Sequence, residues 1–312
     1  MTDRSDPRRS IPDDATFSSW HAADGWAHRR YDRRHPAPRG RVLIQGGRAD
    51  IAEKYFETID HLYGQGWSVT TFDWRGQGGS GRLADDPHVG HAADFRVFLH
   101  DIAAFWREWR AEADGPAVLM GHSMGGHLVL RAMLEGLVDP AAAVLVAPMV
   151  RIRSPLGAGI GARLANLFAA RTPMAPAWKA RPDQRSAGHR QRLLTHDITR
   201  FADEAHWYGQ KPDLLLGPPS WAWIREAFAA GAALEADARI ETLGLPILML
   251  VADHDRLVDP RAALRVAARL PDATLVRFGA ESAHEILREH DTVRLRAYAA
   301  IDDFLDTRVI AA

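Results

Sequence analysis

A chain of 312 residues that is 46% hydrophobic and 25% charged has ordinary globular composition and is long enough to bury a core without disulfides or structural metal. Its 39 basic and 40 acidic residues nearly cancel, which excludes the strongly basic surface that attracts nucleic acid. The absence of cysteine excludes a thiol nucleophile, a cysteine zinc site and an iron–sulfur cluster.

The first 40 residues are polar and rich in arginine, aspartate and proline. Their opening, MTDRSDPRRSIPDD, lacks the apolar run of a secretory signal, and no stretch of the chain approaches the roughly 18 apolar residues that span a bilayer. We therefore expect a cytoplasmic protein without a transmembrane segment. Within this region, Trp20–Tyr31 is predicted to form a strand pair that ends at a turn over Arg33–Gly40.

From Arg41 onward, short apolar runs alternate with amphipathic stretches. The apolar runs, mostly rich in valine, leucine and isoleucine as in strands buried on both faces, are Arg41–Gln45, Trp67–Asp73, Ala117–Met120, Ala143–Ala147, Pro246–Ala252 and Thr274–Phe278. The helical patterns between and after them are Ile51–Tyr63, Ala92–Arg110, Met124–Glu135, Arg261–Leu270 and Thr292–Asp306. This alternation predicts an α/β fold with a mostly parallel sheet flanked by helices.

The alternation stops between Val150 and Gly244, in a proline-rich stretch without a clear strand pattern. Helical patterns cover Leu156–Ala170 and Ser220–Ala230. A long helical insertion between two sheet strands is typical of a lid. We therefore expect three segments, namely the N-terminal part of a core over residues 1–150, a helical cap or lid over 151–240, and the C-terminal part of the core over 241–312.

The sharpest chemical signal is GHSMGG at residues 121–126, which fits the pattern G-x-S-x-G. It lies between an apolar run and a helical pattern, where glycine permits a tight strand-to-helix turn. Such a turn leaves the backbone N–H after the serine free for an oxyanion, and the helix N-terminus favours developing negative charge. The pattern predicts Ser123 as a nucleophile and the Met124 N–H as an oxyanion donor. An incidental serine in a glycine-rich turn fits this context less well.

A serine nucleophile needs a histidine base and a carboxylate that orients the base, and in this fold class both follow the serine along the chain. Histidine candidates downstream are His254, His284 and His290, and acid candidates are Asp253, Asp255 and Asp259. His284 best matches the loop after the run Thr274–Phe278. Spacing alone leaves the acid open between Asp253 and Asp255, with Asp259 less favoured.

A second oxyanion donor is expected in the loop after an early strand, where residues 45–48 read Gln-Gly-Gly-Arg. Because small residues let the backbone approach a substrate closely, we predict that this loop supplies the donor rather than forming a plain turn.

Two other histidine-containing features are interpreted without a catalytic role. Residues 253–255, Asp-His-Asp, resemble part of a metal site, but no second cluster follows at metal-ligand spacing, so we expect no metal. His122 and His127 flank the serine at a spacing that does not share one helix face, which favours packing roles.

At these residues the chain resembles the α/β-hydrolase superfamily and, more narrowly, bacterial lysophospholipases of the L2 type and monoacylglycerol-lipase-like serine hydrolases. The resemblance covers most of residues 40–306, and the segments that carry it are QGGRADIAEKYF, FDWRGQGGSGR, GHSMGG, APM, ADHDRLVD and AHEILRE. It implies an α/β-hydrolase fold with a helical lid inserted between sheet strands. Related lipases often carry His-Gly where this chain has Gln45-Gly46, a departure that concerns loop support and substrate preference.

The resemblance also implies roles for individual residues. The catalytic triad would be Ser123, Asp255 and His284, because the family's acid lies just before a hydrophobic pair in an Asp-Arg-Leu-like segment, as Asp255 does here. The oxyanion donors implied are the N–H groups of Met124 and of Gly47 or Gly46.

The function implied is hydrolysis of a carboxylic ester through an acyl-enzyme, without a cofactor, by a lysophospholipase or monoacylglycerol-type lipase of lipid metabolism. A small-ester esterase, a peptidase-like amidase or a non-catalytic binding protein are the alternatives. In the expected lid, four apolar residues recur at helical spacing, which favours packing on the core over transient contact with a membrane surface; they are Leu156, Ile160, Leu164 and Leu167. No oligomeric state is predicted.

Overall fold

The computed structural model describes residues 6–113, 115–179 and 184–311, whose strands form one eight-stranded sheet. The strands are β1 (Ala15–His21), β2 (Ala27–Arg33), β3 (Gly40–Gln45), β4 (Trp67–Phe72), β5 (Ala117–His122), β6 (Ala142–Val146), β7 (Ile247–Ala252) and β8 (Ala273–Phe278). Their order is β1-β2-β4-β3-β5-β6-β7-β8. The pairs β1–β2 and β2–β4 are antiparallel, and the six strands β3 to β8 run parallel to one another.

Helices connect the parallel strands. The α-helices are α1 (Phe56–Gly64), α2 (Arg96–Ala111), α3 (Met124–Leu134), α4 (Ala158–Arg171), α5 (Gln184–Leu194), α6 (Ile198–Gln210), α7 (Trp221–Ala236), α8 (Pro260–Ala267) and α9 (Asp291–Leu305). Short 3-10 turns cover Ala52–Tyr55, Pro212–Leu214, Ala238–Thr242 and Ile286–Arg288, and a π turn covers Asp306–Ile310. No helix in the described ranges is both long enough and apolar enough to cross a bilayer.

The sheet is covered on both faces, as its continuous apolar runs predict. Every residue of β3 to β7 is buried. Successive residues of a strand face opposite layers, so Leu43 belongs to the core layer that includes residues of α2, α3 and α8, while Val42 belongs to the layer that includes residues of α1 and α9. The predicted α/β class with a mostly parallel, helix-flanked sheet is confirmed.

The predicted N-terminal strand pair is wrong in its bounds. The strands begin at Ala15 and end at Arg33, and the turn between them contains Gly25 at φ 83°. The alternation of apolar and polar residues that marks a strand is weak here, because β2 is largely charged and its charged side chains form ion pairs. For example, Arg30 forms ion pairs with Asp32 and Glu112.

The insertion between β6 and β7, residues 147–246, forms α4 to α7 and has no named strand in its described part. The helical patterns expected over Leu156–Ala170 and Ser220–Ala230 correspond to α4 and α7. The helices α5 and α6 were not predicted. The sequence of α5 is strongly polar and has no long apolar face. The start of α6 is set locally, since the Asp197 side chain accepts hydrogen bonds from the N–H groups of Thr199 and Arg200.

Candidate active site

Ser123 occupies a sharp turn between β5 and α3. Its backbone has φ 51° and ψ −117°, a conformation that costs a non-glycine residue about 1–3 kcal/mol. Three hydrogen bonds hold it there: the Ser123 N–H donates to the Val146 carbonyl at 3.0 Å, and its carbonyl accepts from the N–H groups of His127 at 3.1 Å and Met149 at 2.9 Å. The side chain lies where the carboxyl end of β5 meets the first turn of a helix.

Glycines around the turn allow the backbone segments to approach closely. A Cβ on Gly125 would collide with the carbonyl oxygens of Gln45 and Gly46, so α3 could not pack against that loop with any larger residue. A Cβ on Gly47 would lie 3.0 Å from Ser123 Cβ. The loop predicted to supply an oxyanion donor is therefore adjacent to the serine.

His284 and Asp255 form a buried hydrogen-bonded pair. His284 Nδ1 lies 2.6 Å from Asp255 Oδ2, and the two residues are 3% and 1% exposed. The other carboxylate oxygen of Asp255 accepts from the N–H groups of Leu257 at 2.8 Å and Val258 at 3.0 Å. Burial acts to lower the pKa of His284, but the Asp255 carboxylate more than offsets this and raises the pKa above its usual value.

The alternative acids and bases lie elsewhere. Asp253 pairs with Arg277 at 3.0 Å, and Asp259 caps α8. His254 is exposed, and the mostly exposed His290 side chain lies 3.4 Å from Asp197. No group of three or more His, Asp or Glu residues within the described ranges is arranged to hold a metal ion.

The structure places Ser123 and the His284–Asp255 pair at the same edge of the sheet. Ser123, Asp255 and His284 follow the carboxyl ends of β5, β7 and β8, which run parallel in one sheet. The His284 ring centroid lies 4.9 Å from that of His122, the residue immediately before the serine. This edge is where open α/β sheets bind ligands.

The two predicted oxyanion donors differ in their state. Met124 is the first residue of α3, so its N–H has no intrahelical acceptor. The Gly47 N–H, by contrast, donates to Asp50 Oδ2 at 2.6 Å. A carboxylate three residues along the chain thus occupies the Gly47 N–H in this structure. The Gly46 carbonyl accepts from Trp74 Nε1 at 2.8 Å.

Asp50 belongs to a buried charge network that sequence reasoning missed. Lys54 pairs with Asp50, with Glu204 at 2.8 Å and with Glu285 at 2.7 Å. Burial alone would lower the pKa of Lys54, but these carboxylates raise it above its usual value. Arg288 pairs with Glu285 at 2.6 Å, which adds a second cation to the network. Because Glu204 belongs to α6, the network ties the insertion to the loops of the site.

His122 joins this network to the candidate triad. Its Nδ1 lies 3.1 Å from Asp50 Oδ2 and 3.2 Å from the Tyr55 hydroxyl. The packing interpretation is therefore incomplete for His122. His127 is buried against the Met149 carbonyl, and burial lowers its pKa to about 3, which agrees with a packing role. The i, i+4 spacing of Asp50 and Lys54 and the i, i+3 spacing of Glu285 and Arg288 are the local sequence signals for the network.

Comparison with known proteins identifies a family and related chains. The profile of the family Hydrolase_4, described as "Serine aminopeptidase, S33", matches residues 36–291. Lysophospholipase L2 of Escherichia coli (strain K12) is 33% identical over 288 residues, which cover 85% of this chain and 80% of that protein. Monoglyceride lipase of Homo sapiens is 25% identical over 312 residues, which cover 93% and 90%.

Solved structures show the same architecture. A soluble variant of monoglyceride lipase from Saccharomyces cerevisiae, in complex with a substrate analogue, matches with a TM-score of 0.75 at 19% identity, covering 98% of this chain and 100% of that one. A monoacylglycerol lipase of Paleococcus ferrophilus matches with a TM-score of 0.69 at 22% identity, covering 89% and 98%. At these identities the likeness concerns the fold, and it confirms the predicted α/β-hydrolase fold.

Proposed function

This chain belongs to the family Hydrolase_4 and is an ester hydrolase of the lysophospholipase or monoglyceride lipase type, and we propose that Ser123, Asp255 and His284 are its catalytic triad. The observation that carries the proposal is the 2.6 Å hydrogen bond between His284 Nδ1 and Asp255 beside the strained turn at Ser123. A histidine held in this way by a buried carboxylate keeps its other ring nitrogen available as a base.

The reaction proceeds through an acyl-enzyme. His284 takes the Ser123 hydroxyl proton as the oxygen attacks the ester carbonyl, and Asp255 stabilises the imidazolium that forms. The tetrahedral intermediate collapses as His284 gives the proton to the leaving alcohol. Water then attacks the acyl group with His284 again as the base, and the fatty acid leaves as Ser123 recovers its proton. No cofactor takes part in these steps.

The Met124 N–H and the N–H of Gly47 or Gly46 would stabilise the negative charge on the carbonyl oxygen. Gly47 reaches this role when the developing oxyanion replaces Asp50 as its acceptor, a change that occurs beside the serine. Loss of one such donor typically lowers turnover by about 10²–10³-fold.

The insertion is assigned to substrate capture. We assign residues 151–240 to a cap over a core formed by residues 1–150 and 241–312, in a cytoplasmic enzyme. Of the four residues expected to pack on the core, Leu164 is partly buried, whereas Leu156, Ile160 and Leu167 are 59%, 53% and 46% exposed, which argues against packing of those three. Apolar side chains exposed together on one helical segment suit transient contact with the surface of a lipid aggregate.

A substrate panel tests the proposal. We expect kcat/KM to rise with acyl chain length along a p-nitrophenyl ester series and to be high on monoacylglycerols and lysophospholipids, with all activity lost in Ser123→Ala. A maximum on acetyl esters would contradict the lipid assignment. Faster cleavage of aminoacyl p-nitroanilides than of any ester would indicate an amidase instead.

A further inference from the structure

Arg48 is a cation beside the candidate nucleophile that lacks a carboxylate partner. It follows Gly47, the residue that lies against Ser123. Across residues 6–113, 115–179 and 184–311, its guanidinium forms no ion pair, and its Nη2 donates to the Gly217 carbonyl of the insertion. Its Nε is buried and finds no hydrogen-bond partner among those residues. A buried donor of this kind is unfavourable unless an acceptor completes the site.

A second unpaired donor lies next to it. Trp223 is 6% exposed, and its indole Nε1 also has no hydrogen-bond partner in the described part of the chain. Arg48 Cζ lies 5.5 Å from the Trp223 ring centroid. Two buried donors on contacting residues suit a ligand that is rich in acceptor oxygens.

Gly90 leaves room for the guanidinium between the core and the insertion. A Cβ on Gly90 would lie 2.6 Å from Arg48 Nη2, so a larger residue would displace the side chain. The Gly90 backbone is fixed to the insertion, because its N–H donates to the Pro218 carbonyl and its carbonyl accepts from the Ser220 N–H, both at 2.9 Å. The guanidinium is therefore held in a defined place.

The positive charge of Arg48 is poorly compensated. Burial lowers its pKa to about 10, and the positive charge of Arg190 acts in the same direction. Tyr208 and Asp50 oppose this shift only in part, and the Asp50 carboxylate is already shared by Lys54 and the Gly47 N–H. An arginine side chain nevertheless stays charged at neutral pH. An anionic ligand would gain a cation that pairs with no carboxylate in the described part of the chain.

We propose that Arg48 and the Trp223 indole N–H bind the phosphate of a lysophospholipid whose acyl ester lies at Ser123. A guanidinium suits this group because its paired N–H donors match the oxygens of a phosphate and form charge-assisted hydrogen bonds. The inference rests on the proposed function and narrows it, since it selects a phosphate-bearing ester over a neutral monoacylglycerol.

Binding without turnover tests this assignment. In a Ser123→Ala background, titration calorimetry compares a lysophospholipid and a monoacylglycerol with the same acyl chain. Arg48→Gln is expected to weaken lysophospholipid binding about 10- to 100-fold, at least tenfold more than it weakens monoacylglycerol binding. Arg48→Lys, which keeps the charge but loses the paired donors, should recover part of the loss. Arg107→Gln, which removes an exposed arginine of α2, is the matched control and should change the ratio of the two affinities less than twofold.

Equal weakening for both lipids would assign Arg48 to the structure of the loop and overturn the inference, as would an unchanged affinity for the lysophospholipid. Inorganic phosphate that binds as tightly as the lysophospholipid would identify free phosphate as the ligand and contradict the headgroup assignment. A wild-type enzyme that turns over neither ester would contradict the proposed function. The binding comparison would still decide the role of Arg48.

Discussion

The backbone at Ser123 adopts a positive φ that a side chain makes unfavourable, and neighbouring hydrogen bonds hold it there. Strain of this kind persists where the surrounding structure determines the conformation of one residue. Glycine adopts such a conformation without a steric cost, which allows the strain to be measured by substitution.

Ser123→Gly is therefore expected to be more stable than Ser123→Ala by about 1 kcal/mol, although both variants lose activity. The measurement is the free energy of unfolding in denaturant. Ser68 in the buried strand β4 serves as the matched control, because in a strand interior glycine should be less stable than alanine. A Ser123→Ala variant at least as stable as Ser123→Gly would contradict the strained turn.

The Asp255 carboxylate orients His284, so its charge is expected to matter far more than that of its neighbour Asp253. Asp255→Asn should lower kcat/KM about 10³-fold or more, because the histidine loses its tautomer control and its counter-charge. Asp253→Asn removes a surface pair with Arg277 and should stay within threefold of the wild type. Equal losses in the two variants, measured with one soluble ester, would remove Asp255 from the triad.

The pH dependence follows from the raised pKa of His284. Only the neutral imidazole accepts the serine proton, so activity falls as the pH drops through that pKa. The acid limb of kcat/KM should therefore have its midpoint above the ordinary histidine value of about 6.5. In Asp255→Asn the largest raising charge is gone while burial remains, so the midpoint should move to lower pH. A midpoint that rises or stays constant in the variant would argue against the pair.

At the scale of elements, the turns of the sheet edge carry the chemistry and α4 carries the exposed apolar surface. Ile160 and Leu167 lie on α4 and Leu156 lies just before it, and each is about half exposed. Burial of these side chains in a lipid surface would remove apolar area from water, which increases the affinity for aggregated substrate.

Replacing these three residues together by serine is expected to lower the rate on monoacylglycerol in vesicles, relative to the rate on a dissolved p-nitrophenyl ester, about tenfold. Leu295 on α9 is 52% exposed on a different element, and Leu295→Ser is the control for loss of one apolar side chain. A rate ratio that the triple variant leaves at the wild-type value would mean that α4 does not contact lipid.

At the scale of the whole molecule, Lys54 joins segments that lie far apart in the chain. Its partner Glu285 is 231 residues away, and Glu204 belongs to the insertion. Burial acts to raise the pKa of each carboxyl, but Lys54 and neighbouring cations lower the pKa values of Asp50, Glu204 and Glu285 below their usual range. Their stabilising effect is therefore present above the unfolded pKa of about 4 and is lost as the pH falls through the lower folded values.

Lys54→Met should lower the free energy of unfolding by about 3–5 kcal/mol at pH 7, because it leaves buried carboxylates without their shared cation. The loss should shrink toward pH 4, where the carboxyls of the variant, whose pKa values Lys54 no longer lowers, take up protons and cost less to bury. Denaturant unfolding at both pH values measures this. Lys211→Met, at a lysine that is 42% exposed in its side chain, is the control. A loss that is equal at pH 7 and pH 4 would contradict the network.

A structural feature can be predicted from the sequence when residues close together in the chain determine it. Continuous apolar runs predict the buried strands, and glycines at fixed offsets from Ser123 predict the turn there. The nearness of Asp255 and His284 was predictable because both follow parallel strands. The ion pairs of Lys54 with Glu204 and Glu285 and the unpaired Nε of Arg48 depend on contacts between distant segments, which no local pattern encodes. The polar helices of the insertion likewise depend on tertiary partners.

The account depends on Ser123 being the nucleophile, and covalent trapping tests this most directly. A fluorophosphonate probe, followed by peptide mass spectrometry, is expected to give one adduct on the peptide that contains Ser123. Labelling should be absent in Ser123→Ala and much slower in His284→Ala, because the serine then lacks its base. Undiminished labelling of Ser123→Ala, or an adduct at a different serine in the wild type, would contradict the account.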